Sequence, residues 1–347
     1  MRTIDLHPVS WAQLQRRRER LPHALLVCGQ RGIGKFELAL AFAAALLCER
    51  PAASGEACGR CLACGWVADG HHPDLRLLQP EALAPATDAA PAGQDGETSR
   101  KKPSEQITID QVRGLDDFLH VGTHRQGARV VLLHPAEAMN RATANALLKS
   151  LEEPIPSTLF LLVSDEPSQL LPTIRSRCQL VALRRPEAAL ARRWLDEAGV
   201  RDPDRWLALS GGSPLLARDL ASTSERALLE AVLAELARGS EVEPLAAAAA
   251  VDQAVRADKR PAALRRTLDW VQKWLFDLVL AKAGLSPRYF VDQAAALQRV
   301  GELADAHRLL AFNRKALEYR LSCRQPVNGR LFLEDFFIAY AQVFARA

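Results

Sequence analysis

No apolar run in this sequence approaches the roughly 20 residues that a bilayer-spanning helix needs; the longest, Leu38 to Cys48, falls well short. The N-terminus carries Asp5 and lacks the apolar core of about 7–15 residues that marks a secretory leader. Charge of one sign is not in large excess: the net is +4, so no global basic footprint demands a nucleic acid. No internal repeat is visible, and the run Ala246–Ala250 is simply a strong helix former. Together these absences predict a cytoplasmic protein with no membrane segment. What is present agrees: 48% hydrophobic and 25% charged residues over 347 positions, enough for two or three domains, each with its own core. Two basic clusters, Arg16-Arg17-Arg18 with Arg20 and Arg100-Lys101-Lys102, read as a solvated helix face and a flexible loop.

In the first half, short apolar runs alternate with helix-like stretches, the pattern of a parallel sheet flanked by helices. Strands are expected at Ala24–Cys28, Leu75–Leu78, Arg129–Leu133, Leu159–Ser164 and Gln179–Leu183. Helices are expected at Phe36–Cys48, Asp110–His120, Arg141–Leu151 and Pro167–Ile174. The stretch Gln79–Gln106, rich in Pro, Ala, Gly and charge, is expected to be a disordered insertion, since it buries too little to offset its ordering entropy. From Pro186 onward the strand signal disappears. Helices read through Glu187–Ala198, Asp202–Ser210 and Leu215–Ala221, then a longer helical block from Ser224 to the end. Within that block Leu264, Leu268, Val271, Leu275 and Leu278 fall on one helix face, as do Leu333, Phe337, Tyr340 and Phe344.

Three local patterns carry chemistry. The first is Gly29-Gln30-Arg31-Gly32-Ile33-Gly34-Lys35-Phe36, set between an expected strand and an expected helix. In that context backbone N–H groups cradle phosphates and a lysine reaches the terminal ones. The eighth position, where a Ser or Thr hydroxyl would hold magnesium, is Phe36. After the strand at Arg129–Leu133 a metal-binding Asp and a water-orienting Glu are also missing, replaced by His134 and Pro135, with Glu137 two residues further on. Three losses at metal-dependent positions argue against hydrolysis. For the loop itself, with Gly29, Gly32, Gly34 and Lys35, weak ATP or ADP binding and a plain glycine turn both remain open.

The second pattern is Cys58-Gly59-Arg60-Cys61-Leu62-Ala63-Cys64, with Cys48 ahead of it across a nine-residue loop. In a reducing compartment, four thiols at these spacings favour a closed tetrahedral zinc site over a redox C-x-x-C pair. Cys28, Cys178 and Cys323 are isolated and read as small buried side chains, and His72-Pro73-Asp74 reads as a turn feeding the second strand. The third pattern is Ser176-Arg177-Cys178, expected just after a short helix and just before a strand, where an arginine can reach toward a neighbouring subunit's γ-phosphate.

These motifs occur in this order, together with Asn145-Ala146-Leu147-Leu148-Lys149-Ser150-Leu151-Glu152-Glu153-Pro154, in bacterial clamp-loader subunits. The chain resembles the delta-prime family of DNA polymerase III clamp-loader subunits, members of the AAA+ group. The resemblance is detailed over the first half and extends to the helical remainder only in length and class. It implies an α/β AAA+ P-loop domain over 1–184 with a zinc-binding insertion at 48–64, a small helical lid domain over 185–223, and a C-terminal all-α collar domain over 224–347. It assigns zinc to Cys48, Cys58, Cys61 and Cys64, a sensing role to Ser164, and an arginine finger acting in trans to Arg177. An arginine that follows the later Gly-Ser pair in hydrolysing relatives is absent, since Gly212-Ser213 is followed by Pro214 and Leu215. The implied function is that of a DNA polymerase holoenzyme component with no ATPase activity of its own. Its partners would be the gamma or tau and delta subunits of a five-subunit core, with the sliding clamp and primed DNA reached through the assembly. The rival readings are an autonomous AAA+ ATPase acting on nucleic acid, against which Phe36, His134 and Pro135 speak, and a zinc-dependent DNA-binding protein.

Overall fold

The computed structural model describes residues 1–83, 103–120, 123, 127–258, 262–323 and 327–345. Residues 84–102, most of the insertion expected to be disordered and with it Arg100-Lys101-Lys102, lie outside the described residues. The described flanks meet: Ala82 N–H donates to the Ser104 carbonyl, and Ser104 N–H to the Glu81 carboxylate, each at 3.1 Å. The chain divides into two compact units, Met1–Glu187 and Ala188–Ala347. No helix among the described residues is long and apolar enough to cross a membrane.

The first unit is built on five parallel strands, β1 (Ala24–Cys28), β2 (Leu75–Leu78), β3 (Arg129–Leu133), β4 (Thr158–Ser164) and β5 (Gln179–Ala182), in the order β2-β3-β4-β1-β5. The three inner strands are buried at every position because both sheet faces are covered, and their sequences are correspondingly continuous apolar runs. Alternate residues feed two cores. Leu25, Val27, Val130, Leu132, Leu159 and Leu161 pack with Trp11, Leu38 and Phe42 on one face. Leu26, Val131, Leu133, Phe160 and Leu162 pack with Phe118, Leu147, Leu151 and Ile174 on the other. The edge strands are only partly covered, and β5 leaves Leu180 58% exposed.

Helices α1 (Pro8–Arg16), α2 (Lys35–Leu47), α3 (Leu62–Ala68), α4 (Ile109–Arg113), α5 (Leu115–His120), α6 (Arg141–Glu152) and α7 (Pro172–Arg177) complete this unit. Two expected helices are corrected. The one read over Asp110–His120 is divided into α4 and α5 at Gly114, which caps the first of them. The one read over Pro167–Ile174 is a 3₁₀ turn at Pro167–Gln169 followed by α7, because Pro172 is suited to begin a helix rather than continue one. Ser176 and Arg177 therefore lie in the last turn of α7, not after it.

The second unit is helical throughout its described residues: α8 (Ala188–Glu197), α9 (Pro203–Leu209), α10 (Pro214–Ala221), α11 (Thr223–Leu236), α12 (Pro244–Ala257), α13 (Ala263–Lys282), α14 (Ala294–Leu303), α15 (Ala306–Ser322) and α16 (Gly329–Ala341). The expected stripes are its core. Leu268, Val271, Leu275 and Leu278 of α13 and Leu333, Phe337 and Tyr340 of α16 are buried, while Leu264 and Phe344 are half-buried. Two polar side chains inside this core are held by backbone groups. Tyr340 donates its hydroxyl to the Leu236 carbonyl at 2.7 Å, and the fully buried Asp277 accepts N–H bonds from Arg288, Tyr289 and Phe290.

Candidate functional site

Parallel pairing decides which loops meet. β1 lies beside β4, with Cys28 in register with Ser164, so the glycine loop leaving β1 and Asp165 leaving β4 emerge side by side at the carboxyl edge of the sheet. This is the edge where open α/β sheets bind ligands. Gly29 is required by proximity: a Cβ there would lie 2.5 Å from the Leu183 carbonyl oxygen. Gly34 caps α2 with φ +95, a conformation that a side chain would strain. His7, buried at the other side of the loop, donates Nε2–H to the Ile33 carbonyl at 2.5 Å.

Lys35 does not present a free ammonium. Its Nζ lies 2.5 Å from Asp165 Oδ1 and donates to the Gln30 carbonyl at 2.7 Å, and only 3% of its side chain is exposed. Asp165 is held in turn by its backbone N–H, which donates to Glu137 Oε1 at 2.9 Å. The Lys35 cation thus already has a carboxylate where a phosphate would approach. Stripping a buried ion pair of one member costs about 3–5 kcal/mol, so an incoming phosphate must displace Asp165 rather than merely add to the site.

Aromatic rings stand at two of the positions where the sequence reading looked for metal-binding groups. Phe36 stacks on His134 with centroids 4.7 Å apart and planes 24° from parallel. Burial holds the His134 imidazole down at about pKa 4; nearby Asp165 opposes this, while Lys35 and Arg31 add to it. At neutral pH the ring is uncharged. Its Nδ1 is buried without a hydrogen-bond partner among the described residues. Ser164, expected as the polar sensor, is fully buried with its hydroxyl likewise unpartnered; Asp165, one residue later, makes the contact to the loop. Asp165 was not singled out by the sequence reading: its one local mark is a charge directly after a central strand, and its pairing with Lys35 follows from β1 lying beside β4.

The four expected cysteines are brought together. Cys48 follows α2, Cys61 caps α3, and all four sulfurs lie within 4.8 Å of one another. Cys48 and Cys61 are 3.9 Å apart and Cys58 and Cys64 4.0 Å. A tetrahedral ion with metal–sulfur bonds of about 2.3 Å requires sulfur–sulfur edges of about 3.8 Å. The donor set therefore fits a metal ion. Backbone N–H groups reach part of the set: Cys48 Sγ accepts the Cys58 N–H at 3.2 Å, Cys61 Sγ accepts the Cys64 N–H at 3.4 Å, and those of Arg60 and Cys61 lower the Cys58 thiol to about pKa 6, while burial raises the Cys64 thiol to about 12. Trp11 and Arg18 anchor the intervening loop by donating to the Ser54 and Gly55 carbonyls. Arg18 thereby departs from the solvated-face reading of its cluster. A cavity of about 460 Å³ lined in part by Cys48, Glu49, His72 and Asp74 adjoins this module and includes neither Lys35 nor Arg177. His72 is part of the expected turn, accepting the Asp74 N–H at Nδ1.

The isolated cysteines are not uniformly buried. Cys28 is, but Cys178 and Cys323 are half-buried, and burial still raises both of those thiols to about pKa 11. Arg177 lies at the opposite end of the sheet from Lys35: it precedes the amino end of β5, whereas the loop follows the carboxyl end of β1. It is 34% exposed, pairs with Glu152 Oε1 at 2.5 Å, and donates to the Thr173 carbonyl at 3.0 Å. The structure does not bring Arg177 to its own chain's phosphate loop.

Known proteins similar to this chain cover nearly all of its length. A family model described as DNA polymerase III, delta subunit, matches residues 7–187, and one described as DNA polymerase III, delta subunit, C terminal, matches residues 228–341. The chain is 36% identical, over 98% of its own length and 98% of the relative's, to a protein named DNA polymerase III subunit delta' from Pseudomonas aeruginosa. It is 36% identical to the protein of the same name from Escherichia coli strain K12, over 55% of this chain and 52% of that one. Among solved structures it is similar to a DNA polymerase III gamma subunit-related protein from Thermotoga maritima, with TM-score 0.46 and 19% identity, covering 97% of this chain and 100% of that one.

The His134 geometry gives a pH signature with a definite sign. The folded pKa, about 4, lies below the ordinary 6.5, so between those values the unfolded chain binds a proton that the folded chain refuses. Stability conferred by neutral His134 is complete above pH 6.5 and is lost as pH falls toward 4, by up to about 3 kcal/mol. Urea unfolding of the parent and of His134→Phe, which keeps the stack on Phe36, should show the parent losing stability relative to the variant as pH is lowered through this window. A stability difference independent of pH would contradict the assignment.

Proposed function

The chain belongs to the DNA polymerase III delta' family of clamp-loader subunits, and from this membership we propose that it serves as a non-hydrolysing subunit of the loader that places a sliding clamp on primed DNA. The observation that carries the reading is the self-satisfied nucleotide loop, in which Lys35 is bound by Asp165 while Phe36 and His134 stack in place of a magnesium site. Phosphoryl transfer needs a metal ion bridging the terminal phosphates and a group orienting the attacking water, and this loop offers neither. Gly29, Gly32, Gly34 and Lys35 then form a vestigial nucleotide cradle whose work is structural. It joins β1 to α2 and to the end of β4.

Arg177 contributes to another subunit's chemistry. Its guanidinium is permanently charged and forked, suited to paired bonds with phosphate oxygens in a way lysine is not. Its partial exposure beside the edge strand β5, remote from its own loop, supports action in trans on an adjacent gamma- or tau-type subunit. There it would stabilise charge developing on the γ-phosphoryl group, an effect worth roughly 10³–10⁵ in turnover where such fingers operate. The delta subunit is the other expected neighbour, in a hetero-pentameric core acting in the cytoplasm. We assign 185–223, all but its first three residues in the second unit, to a helical lid and 224–347 to the collar that holds subunits together. Exposed Leu310, Leu317 and Leu321, in line along α15, and Leu331 and Ile338, in line along α16, supply the apolar faces such a collar needs. Cys48, Cys58, Cys61 and Cys64 would hold one structural zinc ion, which clamps the loop between α2 and α3.

Elemental analysis of metal-replete protein should therefore return one zinc per chain, and Cys58→Ser should lose it while unit 188–347 keeps its cooperative unfolding. Absence of stoichiometric zinc would remove the metal from the reading.

The purified chain should show no ATP turnover above background, and Phe36→Thr should not create any, because His134 and Pro135 remain. In a loader reconstituted with ATP-binding partners, Arg177→Ala should leave assembly intact and reduce clamp- and DNA-stimulated hydrolysis at the adjacent site by at least about tenfold, with Arg177→Lys recovering only part. Arg175→Ala, an exposed residue two positions earlier, serves as the control. Turnover by the isolated chain that disappears with Lys35→Ala would instead identify an autonomous ATPase, and a loader indifferent to Arg177→Ala would leave this chain a scaffold.

A further inference from the structure

Arg177 is held on both of its terminal nitrogens by its own subunit. Nη2 lies 2.5 Å from Glu152 Oε1, and Nη1 donates to the Thr173 carbonyl at 3.0 Å. The two anchors have different origins. Thr173 is one turn earlier on α7, so its carbonyl is an end-of-helix acceptor that an arginine in the last turn commonly satisfies. Glu152 is the last residue of α6, a separate helix whose place is fixed by Leu147 and Leu151, buried in one cluster with Ile174 of α7. The packing of α6 on α7 therefore sets a carboxylate against the guanidinium. Neither side chain is sealed from water: Arg177 is 34% exposed and Glu152 48%. An ion pair this exposed holds weakly and can be exchanged for another anion.

We propose that Glu152 is a positioning residue for Arg177, retaining the guanidinium within its own subunit until a phosphate of the neighbouring subunit competes for it. The inference rests on the reading of Arg177 as acting on a neighbour's nucleotide. A paired grip on a phosphate uses two parallel N–H groups of the fork. Both terminal nitrogens already have acceptors here, so turning the fork outward means releasing the carboxylate. Glu152 and a terminal phosphate are thus rival anions for one cation. Release is required equally for the bound nucleotide and for its transition state, so the rivalry weakens both by the same factor. It acts on the nucleotide concentration needed for half-maximal rate and not on the maximal rate.

The test is ATP hydrolysis by the complete loader, assembled with the ATP-binding partner subunits and measured across ATP concentrations. Glu152→Gln keeps shape and hydrogen bonding but removes the charge; it should lower the half-saturating ATP concentration by about two- to fivefold, with kcat unchanged. Glu152→Ala should act in the same direction. The gap between parent and Glu152→Gln should narrow in high salt, which screens an exposed pair. Glu153→Gln, adjacent and without an ion pair among the described residues, should match the parent. In an Arg177→Ala background Glu152→Gln should have no further effect. A raised or unchanged half-saturation, or a fall in kcat, overturns the proposal while leaving the trans role of Arg177 intact, provided Arg177→Ala slows hydrolysis. If Arg177→Ala itself has no effect, both readings fall together.

Discussion

The parallel pairing of β1 between β4 and β5 is the constraint on which the rest of the first unit depends. It puts the glycine loop directly beside the residue that leaves β4, and so brings Asp165 within 2.5 Å of Lys35. It brings the chain leaving β5 so near the start of the loop that position 29 admits no side chain. By the same pairing Arg177, which enters β5, is delivered to the far end of the sheet from the loop that leaves β1. One register thus decides both the closure of the chain's own phosphate loop and the outward placement of its arginine. That register is held by burial, because shifting a strand by one residue would exchange the contents of the two cores.

On the proposed reading, the nucleotide chemistry is replaced by other side chains rather than left vacant. A lysine in a glycine loop carries a charge that must be balanced when buried, and Asp165 balances it with support from Glu137. A position that would bring a hydroxyl to a metal brings a benzene ring instead, and the strand end that would bring a carboxylate brings an imidazole kept neutral by burial. Each replacement suits the other: an uncharged ring stacks on phenylalanine, and a charged metal-binding group would not. The glycine loop's one buried cation is satisfied inside the chain. Such a subunit is free to contribute through its surfaces, and Arg177, the exposed leucines of α15 and the cysteine module all belong to surfaces or insertions, not to the sheet's own cleft.

Much of this was legible in the sequence. All five strands were placed within a residue or so, because inner strands covered on both faces must be unbroken apolar runs. The four cysteines could be grouped from spacing because a thiol cluster closed over a short segment is a local object, and the glycine loop could be read because its φ demands are local as well. Helix ends were less legible: Gly114 divides one expected helix, and Pro172 starts another later than periodicity suggested, carrying Arg177 into its last turn.

The sequence by itself determined the strand–loop–helix succession, the missing hydroxyl at Phe36, the thiol set and the change to an all-helical second half, since each follows from residue type and short-range spacing. Only the tertiary structure decided what each charge faces. That Lys35 meets Asp165, that Asp165 leans on Glu137, and that Arg177 rests on Glu152 are products of strand pairing and helix packing between segments far apart in the chain. Periodicity locates a buried face but does not name the partner across it, and Coulomb energy depends on distance in space, which only the folded register supplies.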